Sequence, residues 1–223
     1  MILAIETSTP VCSVALGKPG SVIEKRIEGR GVHSEHTFVF VNELLYRHNL
    51  SVNDLDAVLF SNGPGSYTGL RIGAAAIKGL LFGQNVPLFT LSSLVSFSAA
   101  KIGQPGLTVH AVIDARRQHL YHQKIELAGS GELTISEPVV KELSDLEAEI
   151  KPGESIIGTG WDRLQLENPD KVEKAGTEAI SANTLIHAWN NSAYKALFTE
   201  QNVESFEPDY LTMAQINNSA IGK

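Results

Sequence analysis

The residues most capable of chemistry near the start of the chain are Glu6, Thr7 and Ser8. They follow an apolar run at residues 1–5 and precede a second apolar run at residues 12–16, which together predict a strand, a turn and a strand. A carboxylate beside hydroxyl groups and backbone amides can hold phosphate and help to position a metal ion. The alternative is an ordinary turn with a charge at the end of a strand.

A second candidate for chemistry is the pair His33 and His36, with Glu35 between them. A spacing of three does not match the HExxH pattern of zinc proteases, in which two histidines four apart share one helical face. Phe40 and Leu44 then recur at helical spacing, which predicts a helix over residues 37–48. The histidines therefore indicate the polar beginning of a helix more than a metal pair.

Residues 57–83 must position any site that these side chains form. Four apolar residues predict a buried strand, a cluster of turn formers follows at residues 61–66, and the pattern from 68 to 83 predicts a helix. Gly69, Gly73, Ala76 and Gly83 fall within about 80° of one another on that helix. Glycine costs about 1 kcal/mol against alanine in a helix, so this face predicts close approach by a helix or a ligand. Neither a P-loop nor a GxGxxG pattern is present.

Residues 62–73, NGPGSYTGLRIG, are similar to the GPGSFTGxRIG signature of the TsaB family, the non-catalytic partners in bacterial tRNA threonylcarbamoyladenosine synthesis. Residues 113–121 match its IDARxxxxY pattern. The resemblance implies that the helices at 37–48 and 68–83 form a surface for a partner. The interface residues it implies are His36, Phe40, Leu44, Gly65, Thr68, Gly69, Arg71, Gly73, Ala76 and Gly83.

The resemblance also implies a fold. Strand, acidic-hydroxyl turn and strand resemble the entry to the ASKHA superfamily, so we expect an α/β protein with two lobes of the actin-like ATPase and ribonuclease H-like type, the second reduced. The cluster of turn-forming residues at 102–106 predicts a domain boundary, with one domain at 1–102 and the other at 103–223. Glu6, Thr7 and Ser8 would be a vestigial phosphate-binding turn, although Glu6 replaces the more usual Asp. No second phosphate turn is recognisable after Ile113.

Two positions argue against catalysis. The catalytic paralogue TsaD carries HHxxxH after an equivalent segment, where this chain has Ser93 and Phe97. Neither side chain can replace an imidazole as an iron or zinc ligand. We therefore predict no catalytic residues, no metal and no cofactor, with ATP or ADP expected only at an interface with TsaD. Asp114 and Arg116 are expected to form an ion pair that holds a turn.

The resemblance implies a scaffold that activates TsaD for transfer of a threonylcarbamoyl group to N6 of the adenosine beside the tRNA anticodon. Its expected partners are a TsaD-type paralogue, a TsaE-type ATPase and, through the complex, tRNA. Without TsaD it would form a homodimer. The alternatives are a metallopeptidase and an ASKHA phosphotransferase. Near the C-terminus Thr212 replaces the Arg of the family's PxYLR pattern.

Composition limits the remaining possibilities. The chain has 223 residues and a net charge of −7, and its 18 Lys and Arg residues form no run, so strong unaided nucleic-acid binding is not expected. The single cysteine, Cys12, fits a reducing compartment. No signal-peptide pattern and no apolar run of about 18 residues occur, so we expect a soluble cytoplasmic protein without a membrane span.

Overall fold

The computed structural model describes residues 1–18 and 20–211. The chain forms two six-stranded sheets with helices between and outside them. The first part contains β1 (Ile2–Glu6), β2 (Val11–Lys18), β3 (Ser21–Glu28), α1 (Val32–Arg47), β4 (Ala57–Ser61), α2 (Tyr67–Leu81), β5 (Leu88–Leu91) and α3 (Ser93–Ser98). The second part contains β6 (Leu107–Asp114), β7 (His119–Leu127), β8 (Leu133–Ile135), β9 (Val139–Glu142), α4 (Leu143–Glu149), β10 (Ser155–Gly158), β11 (Glu173–Ala175), α5 (Ala182–Asn190), α6 (Ser192–Lys195) and β12 (Thr199–Gln201).

The two sheets repeat one topology. In the first, β3, β2 and β1 form an antiparallel meander and β4 and β5 continue in parallel from β1, with β12 antiparallel at the edge. In the second, β8 and β9 both pair with β7, β7 is antiparallel to β6, and β10 and β11 continue in parallel from β6. The repeat confirms the expected α/β fold with two ASKHA-type lobes.

The second lobe is reduced where the first lobe carries α2. The segment between β10 and β11 contains only single turns of 3₁₀ helix, at Trp161–Arg163 and Pro169–Lys171. By contrast, α4 lies between β9 and β10 in the place that α1 has between β3 and β4. Because this connection is short, no long helix follows the end of β10 that faces the first lobe.

A continuous apolar core joins the lobes. Its buried residues come from both sheets and from the helices between them, and include Ala4, Leu59, Phe97, Ile113 and Leu185. A second core lies between the first sheet and the helices α1 and α2. Each strand of the first sheet other than β3 and β12 is almost wholly buried, as expected where helices cover both faces.

The chain returns to the first lobe after α6. Strand β12 pairs with β5, and the backbone N–H of Asp209 donates to the carbonyl of Asn62 at 2.8 Å. The division at residue 102 stays a prediction, but residues 199–209 pack with the first sheet. Thr212, where the family pattern has Arg, lies outside the described residues.

Most predicted elements are present with shifted ends. Helix α1 begins at Val32, five residues earlier than expected, so His33 and His36 lie inside its first turns. Helices α5 and α6 are separated at Asn191, whose side chain caps α6 by accepting from the backbone N–H groups of Ala193 and Tyr194. The described residues include no helix long and apolar enough to cross a membrane.

Candidate functional site

A cleft of about 620 Å³ lies where corresponding loops of the two lobes meet. On one side are the β1–β2 turn and the loop that leads into α2. On the other side are the β6–β7 turn and the loop after β10, which are the equivalent loops of the second lobe. The polar and charged lining residues include Ser8, Thr68, Asp114, Arg116, Asp162 and Arg163.

Glu6 lies behind the first-lobe wall of the cleft and is fully buried. Its Oε1 accepts hydrogen bonds of 2.6 Å from both the backbone N–H and the hydroxyl of Ser8, and its Oε2 accepts from the Ser61 hydroxyl. Burial raises the pKa of Glu6, while the hydrogen bonds from Ser61 and Ser8 act in the opposite direction. The acidic residue therefore ties the ends of β1 and β4 together instead of facing the cleft.

The glycine face of α2 packs inside its own lobe. A Cβ added at Gly69 would overlap the carbonyl of Thr7, and one added at Gly73 would overlap the Thr7 hydroxyl and come within 2.7 Å of the Phe60 ring. A Cβ at Gly65 would overlap the carbonyl of Ser8. These three glycines therefore let α2 lie directly on the β1–β2 turn and β4, and their contact with a partner stays a prediction.

The same contacts close the expected phosphate turn. Thr7 and Ser8 are fully buried, and the Ser8 carbonyl accepts a 2.7 Å hydrogen bond from the backbone N–H of Ser66. The loop at residues 63–66, here called the GPG loop, therefore covers the turn. The vestigial phosphate-binding role of Glu6, Thr7 and Ser8 stays a prediction, and in this conformation their side chains have structural partners or neighbours within the lobe.

Other predicted interface residues divide between core and surface. Phe40, Leu44 and Ala76 belong to the buried interior of the chain, and a partner contact for them stays a prediction. His36 is half-buried and stacks on Phe40 with ring centroids 5.3 Å apart. The predicted residues that are exposed are Thr68, Arg71 and Gly83.

Sequence reasoning missed the exposed apolar residues of the same two helices. Phe38 and Tyr46 on α1 and Phe82 beside the end of α2 are 44%, 86% and 82% exposed. Ala75 and Gly79 are also exposed on α2, and a Cβ at Gly79 would lie 3.5 Å from the Phe38 ring. These five exposed residues, here called the α1–α2 face, comprise three large rings and two small residues on the two helices. The sequence pattern could have identified them, since all of them fall outside the buried apolar stripes of their helices.

Ser93 and Phe97 are both fully buried on α3. The Ser93 hydroxyl accepts a 3.0 Å hydrogen bond from the backbone N–H of Gly63, which holds the GPG loop. Phe97 packs in the core that joins the lobes. The two residues at which the resemblance places metal ligands therefore have internal packing and hydrogen-bonding roles.

The β6–β7 turn differs from expectation in two ways. The Asp114 carboxylate pairs with the guanidinium of Arg163. From Arg116 it accepts only the backbone N–H, at 2.8 Å. The predicted Asp114–Arg116 ion pair is therefore wrong. Arg116 and Arg117 both have left-handed backbones, with φ of 71° and 52°. This turn corresponds in topology to the β1–β2 turn, so a second turn does exist after Ile113, although its sequence does not resemble a phosphate loop.

Comparison with known proteins gives consistent matches. Residues 29–218 match the family model of TsaD, tRNA N6-adenosine threonylcarbamoyltransferase. The structure is similar to that of YeaZ from Pseudomonas aeruginosa, with a TM-score of 0.74 and 26% sequence identity over 94% of this chain and 98% of that one.

Curated relatives carry the name tRNA threonylcarbamoyladenosine biosynthesis protein TsaB. The protein from Haemophilus influenzae is 34% identical over 125 residues, and that alignment spans about half of each chain, 56% of this one and 53% of the relative. The Escherichia coli K12 protein is 31% identical over 228 residues, which cover 94% of both chains. With matching sequence and fold over nearly its whole length, the chain belongs to the TsaB family, whose domain is related to that of TsaD.

Proposed function

We propose that this chain is a non-catalytic subunit in tRNA threonylcarbamoyladenosine biosynthesis. It binds a TsaD-type catalytic paralogue and supports transfer of the threonylcarbamoyl group to N6 of the adenosine beside the anticodon. Membership of the TsaB family supports the pathway. The observation that carries the non-catalytic role is the burial of Ser93 and Phe97 at the position of the expected metal ligands.

Metal-dependent catalysis at that position would require three changes. A ligand would have to replace Ser93, whose hydroxyl already holds Gly63, and another would have to replace Phe97 in a close-packed core. An ion would also need open space beside α3. The carboxyl of Glu6 is likewise occupied by Ser8 and Ser61, so no free acidic group stands at the first turn. These observations favour a scaffold over a metallopeptidase or a phosphotransferase.

The α1–α2 face is the proposed docking surface. Isolated exposed apolar residues are normal, but Phe38, Tyr46 and Phe82 are large, and two of them are more than four-fifths exposed. Small residues at Ala75 and Gly79 allow a partner backbone to approach closely. Aromatic residues are enriched at protein–protein interfaces. The TsaD-type partner would therefore contact this face together with Thr68, Arg71 and Gly83.

The test is co-purification of the chain with the TsaD-type protein of the same organism, combined with mass-spectrometric measurement of threonylcarbamoyladenosine in tRNA. Ala75→Arg places a charge on the exposed side of α2, within this face. We expect it to weaken binding at least about 100-fold, or about 2.8 kcal/mol, because the charge loses its water without gaining a partner. Formation of the modified nucleoside should fall in parallel.

The matched control is Ala196→Arg, at an exposed alanine beside α6 and away from α1 and α2. It should bind and support modification as the unmodified chain does. Both variants should melt at the temperature of the unmodified monomer, since both positions face water. Normal binding by Ala75→Arg, or modification by the chain without any TsaD-type protein, would contradict the proposal.

The same face would close a two-fold homodimer when the paralogue is absent. A self-complementary patch on both subunits satisfies two-fold symmetry, and it removes the exposed rings from water. Light scattering should then show a dimer that Ala75→Arg converts to a monomer. A dimer that persists in this variant would place homodimer contacts elsewhere.

Further partners belong to the same proposal. A TsaE-type ATPase would join the complex, and ATP or ADP would bind only where the chain meets its paralogue. Transfer RNA would be reached through the complex, since the net charge of −7 opposes direct binding. The site of action would be the cytoplasm.

A further inference from the structure

Two buried histidines lie side by side on the outer face of the second sheet. His110 on β6 and His122 on β7 are diagonal neighbours, because His122 pairs with Val112 and His110 pairs with Lys124 across the antiparallel ladder. Their side chains therefore point to the same face. Nδ1 of His110 is 2.9 Å from Nε2 of His122, and the two residues are 0% and 2% exposed.

Glu149 completes a group of three on this face. One nitrogen of each histidine and one carboxylate oxygen of Glu149 all lie within 4.8 Å of one another. Glu149 ends α4, the helix that covers this face, so the group joins a helix to two strands. Across residues 1–18 and 20–211, no other three His, Cys, Asp or Glu side chains meet this criterion.

A second carboxylate orients the first histidine. Oε2 of Glu154, just before β10, lies 3.0 Å from Nε2 of His110. An Nε2–H that donates to Glu154 leaves the Nδ1 lone pair directed at the centre of the group. Carboxylates commonly fix the tautomer of metal-binding histidines in this way. Burial lowers the pKa of His110, and burial and the neighbouring His110 lower the pKa of His122 to about 3, so both rings are neutral.

We propose that His110, His122 and Glu149 bind a divalent transition-metal ion, with Zn²⁺ the best match. Two imidazole nitrogens and one carboxylate are suited to zinc, whereas calcium and magnesium prefer oxygen ligands. A water molecule supplies the fourth position. The sequence prediction of no metal considered the position of Ser93 and Phe97, and this site is on the other lobe.

Binding requires the ligand atoms, which lie within 4.8 Å of one another, to adjust around the ion and one proton to move. Tetrahedral zinc holds two nitrogens about 3.3 Å apart, so the rings separate by about 0.4 Å. The proton of His122 moves from Nε2, where it donates to His110, to Nδ1, and the freed Nε2 lone pair binds the ion. Lys141 pairs with Oε2 of Glu149, so the ion takes the other oxygen. The site would fasten α4 to the sheet.

The test uses the full chain without a histidine tag, treated with a chelator and then titrated with Zn²⁺ or Co²⁺ alone. We expect one ion per chain by mass spectrometry of the metal, an absorption band of tetrahedral Co²⁺, and a higher melting temperature in Zn²⁺. Glu149→Gln should weaken binding at least about tenfold and remove the rise in melting temperature. Its half-buried position leaves folding intact, as its melting temperature in chelator will show.

Glu142→Gln is the matched control. Glu142 on β9 faces His119 on β7 at 3.9 Å in a partly exposed histidine–carboxylate pair, outside the group of three. This variant should bind the ion as the unmodified chain does. The absence of stoichiometric binding at micromolar Zn²⁺, equal affinity in Glu149→Gln, or equal loss in Glu142→Gln would each overturn the proposal.

Discussion

Gly73 on α2 lies against the side chain of Thr7 in the β1–β2 turn, so closely that a single Cβ at Gly73 would overlap the Thr7 hydroxyl. The Phe60 ring bounds the same space at 2.7 Å. This contact joins the first turn to the helix that follows β4. It explains why a helix with an otherwise good apolar pattern contains glycine at this position.

Gly73→Ala should therefore destabilise the monomer by about 1–3 kcal/mol, because the added methyl group overpacks a buried contact. Gly79→Ala is its counterpart on the exposed side of the same helix, where a Cβ lies 3.5 Å from the Phe38 ring in ordinary contact. It should stabilise the helix by about 0.5–1 kcal/mol. Urea denaturation of both variants measures the difference, and equal stability of the two would contradict the internal role of Gly73.

Glu6 gives a prediction about hydrogen bonds. Glu6→Ala leaves the buried hydroxyl of Ser61 and the N–H and hydroxyl of Ser8 without their acceptor. A buried polar group without a partner costs about 1–3 kcal/mol, so the free energy of unfolding should fall by at least that amount. Glu6→Gln retains one carbonyl acceptor and should therefore lose less stability than Glu6→Ala. Denaturation at neutral pH measures both losses.

The pH dependence of Glu6 has a definite sign. Burial raises its folded pKa above the ordinary value of 4.5, so its contribution to stability is complete below pH 4.5 and decreases as pH rises through the folded pKa. Glu6→Gln does not titrate. The stability of the variant relative to that of the unmodified chain should therefore increase as pH rises above 4.5, by up to about 1.4 kcal/mol per pH unit. A constant difference between the two proteins across this range would contradict the raised pKa.

The effect of His33 on stability should have the opposite pH dependence to that of Glu6. His33 is buried in α1 with Nε2 2.8 Å from the carbonyl of Thr9, and burial lowers its pKa below 6.5. Its contribution is therefore complete above pH 6.5 and lost as pH falls toward the folded pKa. His33→Gln can keep a donor to Thr9 without titrating. Denaturation from pH 7 to pH 5 should show the unmodified chain losing stability relative to this variant, and parallel curves would oppose the prediction.

Binding of tRNA by the isolated chain should be weak. With a net charge of −7 and no cluster of basic residues in the sequence, few phosphates can be neutralised. A gel-shift titration at physiological salt should give a dissociation constant weaker than micromolar. Micromolar or tighter binding by the chain alone would show that tRNA contacts do not depend on the complex.

The sequence by itself determined the fold class, the principal strands and the family. Apolar runs such as 57–60 are long enough to predict buried strands, and the motif at 62–73 identifies the loop and helix that follow. Such local patterns record backbone conformation and burial, which neighbouring residues largely decide. The short strands β8, β9, β11 and β12 lacked this signal, because each includes polar or charged residues and none contains a run of four apolar residues.

Only the tertiary structure decided which surface each residue meets. The spacing of Gly69 and Gly73 predicted that another segment approaches this face of the helix closely. The sequence pattern is the same whether that segment belongs to a partner or to a turn of the same chain. Likewise, His110 and His122 are twelve residues apart and stand side by side only because β6 and β7 pair in one register. Contacts between distant segments depend on strand register and helix docking, which no local pattern encodes.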